Sequence, residues 1–288
     1  MRDPIVLRIA LGTHAHVAPL VSGELTSPRI RFQFIEFDPL PEAFRNMVRG
    51  RDLDASEMAV STHLLALDFG QSLKALPAPL WRRLHHSNLV CLNDSPLRGA
   101  KDLEGKKVGV RAYSQTTGVW IRGILKTQYG VDLDKITWVT MEDAHVPGFK
   151  DPPQAVRNST GKGLRDLLYL GELAAIMGER NVDPANIRPV IPNAEDEAKA
   201  WSKETGVFPV NHIVSIRTEL LERHQWLADE LMSLLDQARI LSGARGVAAM
   251  PYGLESIRPA MKMLCGFAAD QKLTAKEYAV EDVFWNRG

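Results

Sequence analysis

The stretch of residues 99–131 constrains the fold more than any other part of this chain. It contains a short apolar run, Lys107 to Val110, that is typical of a buried strand. A hydroxyl-rich loop follows, and from Thr116 onward apolar residues recur at helical spacing. Because the first amides of a helix lack partners within it, this unit predicts an anion site at Ser114, Thr116 and Thr117. The alternative, that these hydroxyls only cap their own helix, stays open at this point.

The same order of strand, polar loop and helix recurs along the chain. Apolar runs and alternation predict strands over residues 5–11, 29–37, 54–59, 73–80, 89–92, 107–110, 136–140, 173–177, 187–191 and 206–217. Helical spacing predicts helices over residues 17–21, 39–50, 64–69, 116–129, 162–170, 195–205, 220–241 and 254–269. Strands that alternate with helices predict an α/β fold with mostly parallel sheets and helices on both faces.

Two changes of pattern predict that the chain crosses between two lobes and returns. The first lies at residues 81–93, and the second is the apolar run over residues 206–217. We therefore expect lobe 1 to comprise residues 1–88 and 207–288, and lobe 2 to comprise residues 89–206. Ligands of open α/β sheets lie beyond the carboxyl ends of the strands, which predicts a cleft between the lobes. The loops expected to converge there are residues 12–16, 56–57, 114–117, 141–146 and 171–172.

The composition excludes several classes of partner. Apolar residues make up 45% of the 288 residues and charged residues 24%, which is typical of a globular protein with a substantial core. Basic and acidic residues both number 35, so the chain has no net field that would recruit nucleic acid or an anionic membrane. No segment approaches the roughly 20 apolar residues that span a bilayer. We therefore expect no nucleic-acid partner and no membrane span.

The start of the chain and its two cysteines bear on location. The first residues lack the long apolar core and cleavage site of a signal peptide, which predicts a cytoplasmic protein. A periplasmic protein whose leader had been removed would show the same pattern. Cys91 and Cys265 have no disulfide or metal-finger spacing and are expected to be buried thiols in a reducing compartment. The sequence does not decide whether the chain forms a homo-oligomer.

Histidines and one glutamate carry most of the predicted chemistry. Up to six of the histidines could edge one cleft: His14 and His16 lie in the first predicted loop, His85 and His86 at the first crossing, His145 in the proline-rich loop and His212 in the return crossing. Several imidazoles on loops that meet can move protons near neutral pH. His14 with Glu57 could also hold a divalent ion, although the spacing is not diagnostic of a metal site. The alternative for any single histidine is a solvated polar residue.

Motifs for other chemistry are missing. The chain has no GxGxxG, phosphate-loop, HExxH or GxSxG motif, so nucleotide hydrolysis, zinc proteolysis and serine-hydrolase chemistry have no support. No organic cofactor is expected. Among the arginines, Arg82, Arg83 and Arg111 are candidates for holding an anion, with Arg111 favoured by its place at a strand end. Arg122 lies inside a predicted helix, where a surface ion pair is the expected role.

Three motifs follow one another along the chain. They are Thr117 to Leu125 with Tyr129-Gly130-Val131, then Gly206 to His212, then Pro251 to Glu255 with Arg258. Together they resemble the 4,5-dihydroxyphthalate decarboxylase family over most of the chain. The resemblance implies a type 2 periplasmic-binding-protein fold, with a ligand cleft between two α/β lobes. It also implies a carbon–carbon lyase of aromatic catabolism that removes one carboxylate from a dihydroxylated aromatic diacid.

The same resemblance leaves an alternative function. The wider fold group consists mainly of solute receptors of ABC importers, so a non-catalytic binding protein or sensor for a small anionic metabolite is the second hypothesis. The chain departs from the family pattern in loops predicted to face the cleft: Gly12 to His16, His85, and residues 141–145. The substrate therefore need not be the phthalate itself, and whether the chain is an enzyme stays undecided.

Decarboxylation of a hydroxyaromatic acid defines the roles that such a cleft must fill. It needs an anchor for a carboxylate, a proton donor for the ring carbon, and a group that polarises the phenol. We assign the proton donor to His86 or His212, and the phenol side to Glu57 with His14, through a divalent ion if one is bound. The expected substrate contacts are His14, Ser56, Arg111, Ser114, Thr116, Thr117, Gly171 and Glu172. The predicted partner is a small aromatic carboxylate.

Overall fold

A computed structural model describes residues 3–50, 52–178 and 181–286. The strands are β1 (Ile5–Ala10), β2 (Ile30–Phe34), β3 (Ala55–Ala59), β4 (Leu73–Arg82), β5 (Leu89–Leu92), β6 (Lys107–Val110), β7 (Thr137–Thr140), β8 (Ala155–Arg157), β9 (Ala175–Met177), β10 (Ile187–Pro189) and β11 (Val210–Arg217). The helices are α1 (Ala18–Val21), α2 (Pro41–Arg49), α3 (Val60–Asp68), α4 (Thr116–Thr127), α5 (Leu164–Tyr169), α6 (Ala194–Thr205), α7 (Thr218–Arg223), α8 (Leu227–Leu241), α9 (Leu254–Asp270) and α10 (Val280–Val283).

These strands form two sheets. The first has the order β2-β1-β3-β11-β4, in which β1 runs parallel to β2 and β3, and β11 runs antiparallel to β3 and β4. The second has the order β10-β5-β9-β6-β7-β8, in which β6, β7, β8 and β9 run parallel. We refer to the elements around the first sheet as lobe 1 and those around the second as lobe 2. The expected α/β fold with mixed, mostly parallel sheets is confirmed.

Two local features differ from the prediction. The proline-rich loop after β7 contains a short edge strand, β8, which pairs with β7. The long helix predicted over residues 220–241 is two helices, because His224 leaves helical geometry with φ −130° and ψ 69°. The chain therefore turns at residues 224–226 before α8 begins.

The largest apolar cluster joins the two lobes. It contains Leu64 of α3, Trp120 and Ile124 of α4, and Leu264 and Phe267 of α9. The indole nitrogen of Trp120 also donates a hydrogen bond of 3.0 Å to the carbonyl of Val210 on β11. Burial of this kind is the main favourable contribution to folding, so the contact on one side of the lobes is a packed core.

In the described residues, no helix is both long enough and apolar enough to cross a membrane. Cys91 and Cys265 are buried and are not joined in a disulfide.

The packing of α4 against α9 generates a stability prediction. A Cβ atom added at Gly123 would lie 2.1 Å from a ring carbon of Phe267, well inside van der Waals contact. We expect Gly123→Ala to lower the free energy of unfolding by about 1–3 kcal/mol, as overpacked cores do, even though Ala is the better helix former. Urea unfolding followed by circular dichroism measures this change.

Gly99→Ala is the matched control. Gly99 has an extended backbone, with φ −176°, and a Cβ atom there would have no neighbour within 4 Å. Its stability should stay within about 0.5 kcal/mol of the parent chain. Equal stability of both variants would contradict the packing described for α4 and α9.

Candidate functional site

A cleft of about 1460 Å³ lies between the two sheets. Its walls include the segments that follow β1, β6, β7 and β9, represented by His14, Ser114, Glu142 and Gly178. These segments meet because the carboxyl ends of parallel strands lie at one edge of a sheet. The volume exceeds the upper end of the usual range for small-molecule pockets, about 1,000 Å³.

The carboxylate of Glu57 is the centre of the lobe 1 wall. Glu57 lies on β3, is 0% exposed, and accepts a hydrogen bond of 2.8 Å from the backbone amide of Gly12. His14 Nε2 donates to both carboxylate oxygens at 3.0 Å, and His212 Nδ1 donates to Oε1 at 2.6 Å. The order of the first sheet explains this meeting, because β3 lies between β1 and β11, which lead to the two histidines.

The charges of this cluster are coupled. Burial raises the pKa of Glu57, but the hydrogen bonds from His14 and His212 outweigh burial and hold the pKa below its ordinary value. The carboxylate is therefore ionised and can only accept hydrogen bonds, so both imidazoles present N–H groups to it. Burial lowers the pKa of His14, and its hydrogen bond with Glu57 more than offsets this, so the pKa lies above 6.5. His14 therefore holds a proton more readily than a free imidazole.

Neighbouring rings form the rest of this wall. The ring of His212 meets Trp81 edge-on, with centroids 4.8 Å apart, and Phe44 with centroids 5.2 Å apart. His16 stacks on His14 at 5.2 Å, and burial lowers the pKa of His16 to about 4, so His16 is neutral near pH 7. These contacts fix the imidazoles of His14 and His212 in a mostly apolar setting.

The opposite wall begins at the N-terminus of α4. Ser114, Thr116 and Thr117 line the cleft there. Gln115, the N-cap residue, makes no side-chain capping hydrogen bond, so the interpretation that these hydroxyls serve as caps is wrong. The hydroxyl of Thr117 instead accepts hydrogen bonds from Arg83 Nη2 at 2.8 Å and, from β11, Asn211 Nδ2 at 3.3 Å.

Ser61 links this wall to lobe 1. Its hydroxyl donates to the carbonyl of Ser114 at 2.6 Å and lies 2.7 Å from the hydroxyl of Thr116. Its backbone amide donates to the same Thr116 hydroxyl at 3.2 Å. Ser61 is the second residue of α3, so the start of α3 and the start of α4 are tied together by these bonds.

A set of ion pairs spans the mouth of the cleft. Glu142, after β7, pairs with Arg111 of the same lobe and with Arg45 of α2 at 2.9 Å. Arg49 of α2 donates to the carbonyls of His145 and Ala144 at 2.7 and 3.1 Å. Arg111 lines the cleft as expected, but its guanidinium is already paired with the carboxylate of Glu142.

His145 lines the cleft, as its place in the proline-rich loop predicted, although no chemical role was assigned to it. Its Nδ1 lies 3.0 Å from the hydroxyl of Thr62 on α3, and its ring lies 5.8 Å from that of Phe44. Burial and the nearby charge of Arg111 lower its pKa to about 3, so the imidazole is neutral. It is therefore a polar but uncharged part of the wall opposite lobe 1.

His86 is not placed as expected. It is 1% exposed and is not one of the described residues that line the cleft. It begins a short 3-10 helix that turns its ring towards Trp201 of α6, with centroids 5.7 Å apart, and its Nε2 lies 2.8 Å from Oε1 of Gln128. His86 cannot reach a ligand in the cleft from this position, which leaves His212 as the candidate proton donor.

Three further expectations about position need correction. Gly171 and Glu172 come before β9, so they lie at its amino end, and Glu172 pairs with Lys162 at 3.0 Å. Gly178, after β9, lines the cleft instead. Ser56 is buried on β3 next to Glu57, and because successive strand residues point to opposite faces, its side chain faces away from the histidines.

Arg122 is also not the surface residue that its helical position predicted. It is 0% exposed, and its guanidinium donates to Gln271 Oε1 at 2.7 Å and to the carbonyl of Tyr113 at 2.6 Å. The centroid of the Tyr113 ring lies 4.0 Å from Cζ of the Arg122 guanidinium. Arg122 therefore belongs to the packing beneath α4.

The donor set of Glu57 and His14 does not fit a divalent ion. The nitrogens of His14 and His212 that would ligate a metal beside Glu57 are both occupied as donors to the carboxylate. In the described part of the chain, no group of three or more His, Cys, Asp or Glu side chains is arranged as a metal site. The cluster is therefore held by hydrogen bonds.

Comparison with solved structures identifies the class of fold as that of the type 2 periplasmic binding proteins. The aliphatic sulphonate binding protein SsuA from Escherichia coli is 15% identical, with a TM-score of 0.63 over 99% of this chain and 93% of that chain. The desulfurization enzyme DSZB is also 15% identical, with a TM-score of 0.58 over 98% of this chain and 96% of that chain. At this level of identity, the likeness shows the fold alone.

Two curated relatives bear the name 4,5-dihydroxyphthalate decarboxylase. The protein from Comamonas testosteroni is 26% identical over 301 residues, which cover 98% of this chain and 86% of the relative. The protein from Pseudomonas putida is 33% identical over 144 residues, which cover 48% of this chain and 55% of the relative. The resemblance drawn from the sequence motifs is confirmed. No protein-family model matches the chain.

The coupling of His14 to Glu57 generates a pH prediction. In Glu57→Gln the pKa of His14 should fall below 6.5, because burial would no longer be offset by a carboxylate. An NMR titration of the ring Cε1–H signal measures this pKa, and Glu142→Gln, at the mouth of the cleft, is the control that should leave it unchanged.

The same pair affects stability in a defined pH range. A raised pKa in the folded chain means that protonated His14 stabilises the fold fully below pH 6.5 and that this contribution is lost as the pH rises through the raised pKa. Denaturant unfolding should show a smaller decline above pH 6.5 in Glu57→Gln than in the parent chain. A His14 pKa that is the same in both proteins would refute the coupling.

Proposed function

We propose that this chain is a decarboxylase that acts on a small hydroxyaromatic carboxylic acid of the 4,5-dihydroxyphthalate type. The observation that carries the proposal is one buried carboxylate, Glu57, that holds two histidines on one side of a cleft whose other side presents hydrogen-bond donors. The similarity to one named decarboxylase over 98% of the chain, and to a second over 48%, supports it.

The anchor for the substrate is the wall at the start of α4. Amides in the first turn of a helix and the positive end of its dipole favour a carboxylate. The hydroxyl of Thr117 and the side chains of Arg83 and Arg111 line the same wall. A carboxylate that is retained in the product binds here, which directs the ring and its second carboxylate towards the histidines.

His212 supplies the proton in the chemical step. Its Nδ1–H donates to Glu57, so Nε2 is the nitrogen at the far end of the ring. The protonated imidazole transfers its Nε2 proton to the ring carbon that bears the departing carboxylate. The carbon–carbon bond then breaks, its electron pair returns to the ring, and carbon dioxide leaves. Glu57 stabilises the charged imidazole before transfer, as the carboxylate of a catalytic triad does.

His14 acts on the phenol. Its Nε2–H donates to Glu57, and the other ring nitrogen is the acceptor when the imidazole is neutral. A pKa raised above 6.5 makes this imidazole a stronger base than free histidine. Withdrawal of the phenolic proton increases the electron density of the ring and so favours protonation of the ring carbon that bears the departing carboxylate.

A non-catalytic binding protein is the second candidate. The observation that favours it is the fold, because the neighbours include a sulphonate binding protein of SsuA type from Xanthomonas axonopodis, solved with MOPS bound, with a TM-score of 0.58. The wall at α4 would hold a sulfonate as well as a carboxylate. In this case the histidines serve only as hydrogen-bond partners.

Turnover and binding separate the two candidates. Incubation with a panel of hydroxylated benzoic and phthalic acids should release carbon dioxide from at least one member. His212→Gln should reduce that rate by about 10²–10⁴-fold, the range that a general acid contributes. The dissociation constant of the same acid, measured by calorimetry, should change by less than about fivefold because the anchor is intact.

His224→Gln is the matched control. His224 follows α7 in lobe 1 and does not line the cleft, so its turnover should equal that of the parent chain. If no acid of the panel loses carbon dioxide while several raise the thermal midpoint, the binding protein is the better description. If His212→Gln keeps full turnover, the assignment of the proton donor fails.

A further inference from the structure

Four polar side chains form a connected chain of hydrogen bonds at the α4 wall. The sequence predicted a ligand-binding role for Thr117 and Arg83 and a place at the cleft edge for His85, but nothing for Asn211. His85 Nε2 lies 3.1 Å from Asn211 Oδ1, and Asn211 Nδ2 lies 3.3 Å from Thr117 Oγ1. Arg83 Nη2 lies 2.8 Å from the same hydroxyl. Arg83, Thr117 and Asn211 line the cleft, whereas His85 is 0% exposed behind them.

The state of His85 determines the direction of these hydrogen bonds. Its ring stacks on Trp120, with centroids 6.2 Å apart, and burial and the charge of Arg83 lower its pKa well below 6.5. The imidazole is therefore neutral and carries a single N–H. Its Nδ1 is buried and has no partner among the described residues.

Only one arrangement avoids a buried, unpaired N–H group. If Nε2 carries the hydrogen, it donates to the amide oxygen of Asn211, and Nδ1 is a bare acceptor. If the amide of Asn211 were reversed, Nδ1 of His85 would carry a buried hydrogen with no acceptor, which is the costly alternative. The amide oxygen of Asn211 therefore faces His85, and its NH₂ group faces Thr117 and the cleft.

With the amide of Asn211 in this orientation, the α4 wall offers hydrogen-bond donors to the cleft. The hydroxyl oxygen of Thr117 accepts from both Arg83 and Asn211, so its two lone pairs are occupied. Its own proton has no acceptor among the described residues and is left for the cleft. The second hydrogen of Asn211 Nδ2 is likewise available to a ligand in the cleft. The guanidinium of Arg83, which also lines the cleft, carries only donors.

We propose that Arg83, Thr117 and Asn211 form a subsite for a group that only accepts hydrogen bonds, such as a carboxylate or a sulfinate, and that His85 is the positioning residue that sets this polarity. The subsite rejects the carboxamide of the same ligand, because an amide NH₂ group would face a second donor. This proposal rests on the proposed function for the aromatic part of the ligand. It identifies the retained carboxylate, and not the departing one, as the group bound here.

The probes for the test are an acid and its amide. One is 3,4-dihydroxybenzoate, the acid that remains when 4,5-dihydroxyphthalate loses one carboxylate, and the other is 3,4-dihydroxybenzamide. Isothermal titration calorimetry at pH 7 on the full chain should show the acid binding about 5–150-fold more tightly than the amide, the range for leaving a buried polar group unpaired. Equal affinities, or no binding of either probe, would overturn the proposal.

Variants of Thr117 test the donor directly. Thr117→Val keeps the shape of the side chain and removes the hydroxyl, so the acid should bind at least fivefold more weakly while the amide changes little. Thr117→Ser keeps the hydroxyl and should restore the preference for the acid. Loss of the preference in both variants, or in neither, contradicts the role of the hydroxyl proton.

His85 is tested through its effect on Asn211. His85→Gln retains an N–H donor for the amide oxygen and should preserve the ratio of acid to amide affinity, whereas His85→Leu removes the donor and should bring the ratio close to one. Asn211→Asp, which places an acceptor at the same position, should abolish binding of the acid even if His85→Leu does not fold. A normal ratio in folded His85→Leu would refute the positioning role.

Kinetics distinguish this proposal from the proposed function. If the acids of the panel are decarboxylated, His85→Leu should raise KM and leave kcat within about threefold, because His85 acts through Asn211 on the binding of the retained carboxylate. If no acid is decarboxylated but the acid-to-amide ratio behaves as described, the subsite stands and the enzymatic function fails. If turnover occurs with no preference for the acid, the enzymatic function stands and the subsite proposal fails.

Discussion

The carboxylate of Glu57, ionised and fully buried in the middle of a sheet, is the constraint on which the rest of the site depends. An isolated buried charge is strongly destabilising, so it persists only where partners satisfy it. Here the partners are the amide of Gly12 and the imidazoles of His14 and His212. They come from the segments that follow or form the strands on either side of β3. The sheet order that brings partners to the buried carboxylate therefore also places two imidazoles at the cleft.

The two walls of the cleft are chemically complementary. The lobe 1 wall can take and give protons, because Glu57 raises the pKa of His14 and accepts a hydrogen bond from His212. The α4 wall offers donors, because buried His85 turns the amide of Asn211 towards Thr117. A hydroxyaromatic acid with one carboxylate that is retained and one that departs as carbon dioxide matches both walls. The ion pairs of Glu142 with arginines of both lobes hold the mouth of this cleft together.

Sequence reasoning predicted the parts of the site that depend on strand order, and failed where the outcome depends on local turns or on burial. The convergence of His14, Glu57 and His212 was expected because the first two lie in predicted strand-end loops and His212 in the return crossing, although their chemical roles stay proposals. His86 was misplaced because it lies in a short 3-10 turn where its ring packs on Trp201 and contacts Gln128 instead of lining the cleft. Glu172 was misplaced because the loop before a parallel strand lies at the opposite edge from the loop after it. Asn211 was missed although it adjoins His212 in the motif Gly206 to His212. The role of an amide side chain can be inferred only when its hydrogen-bond partners are known.

The most direct test of the account is a crystal structure of the chain with 3,4-dihydroxybenzoate bound in the cleft. The carboxylate should lie within hydrogen-bond distance of the Thr117 hydroxyl and the Asn211 amide nitrogen. The vacant ring position, from which the second carboxylate departs, should lie next to His212, and a phenolic oxygen should lie next to His14. A carboxylate bound against the two histidines, or a ligand bound outside the cleft, would contradict it.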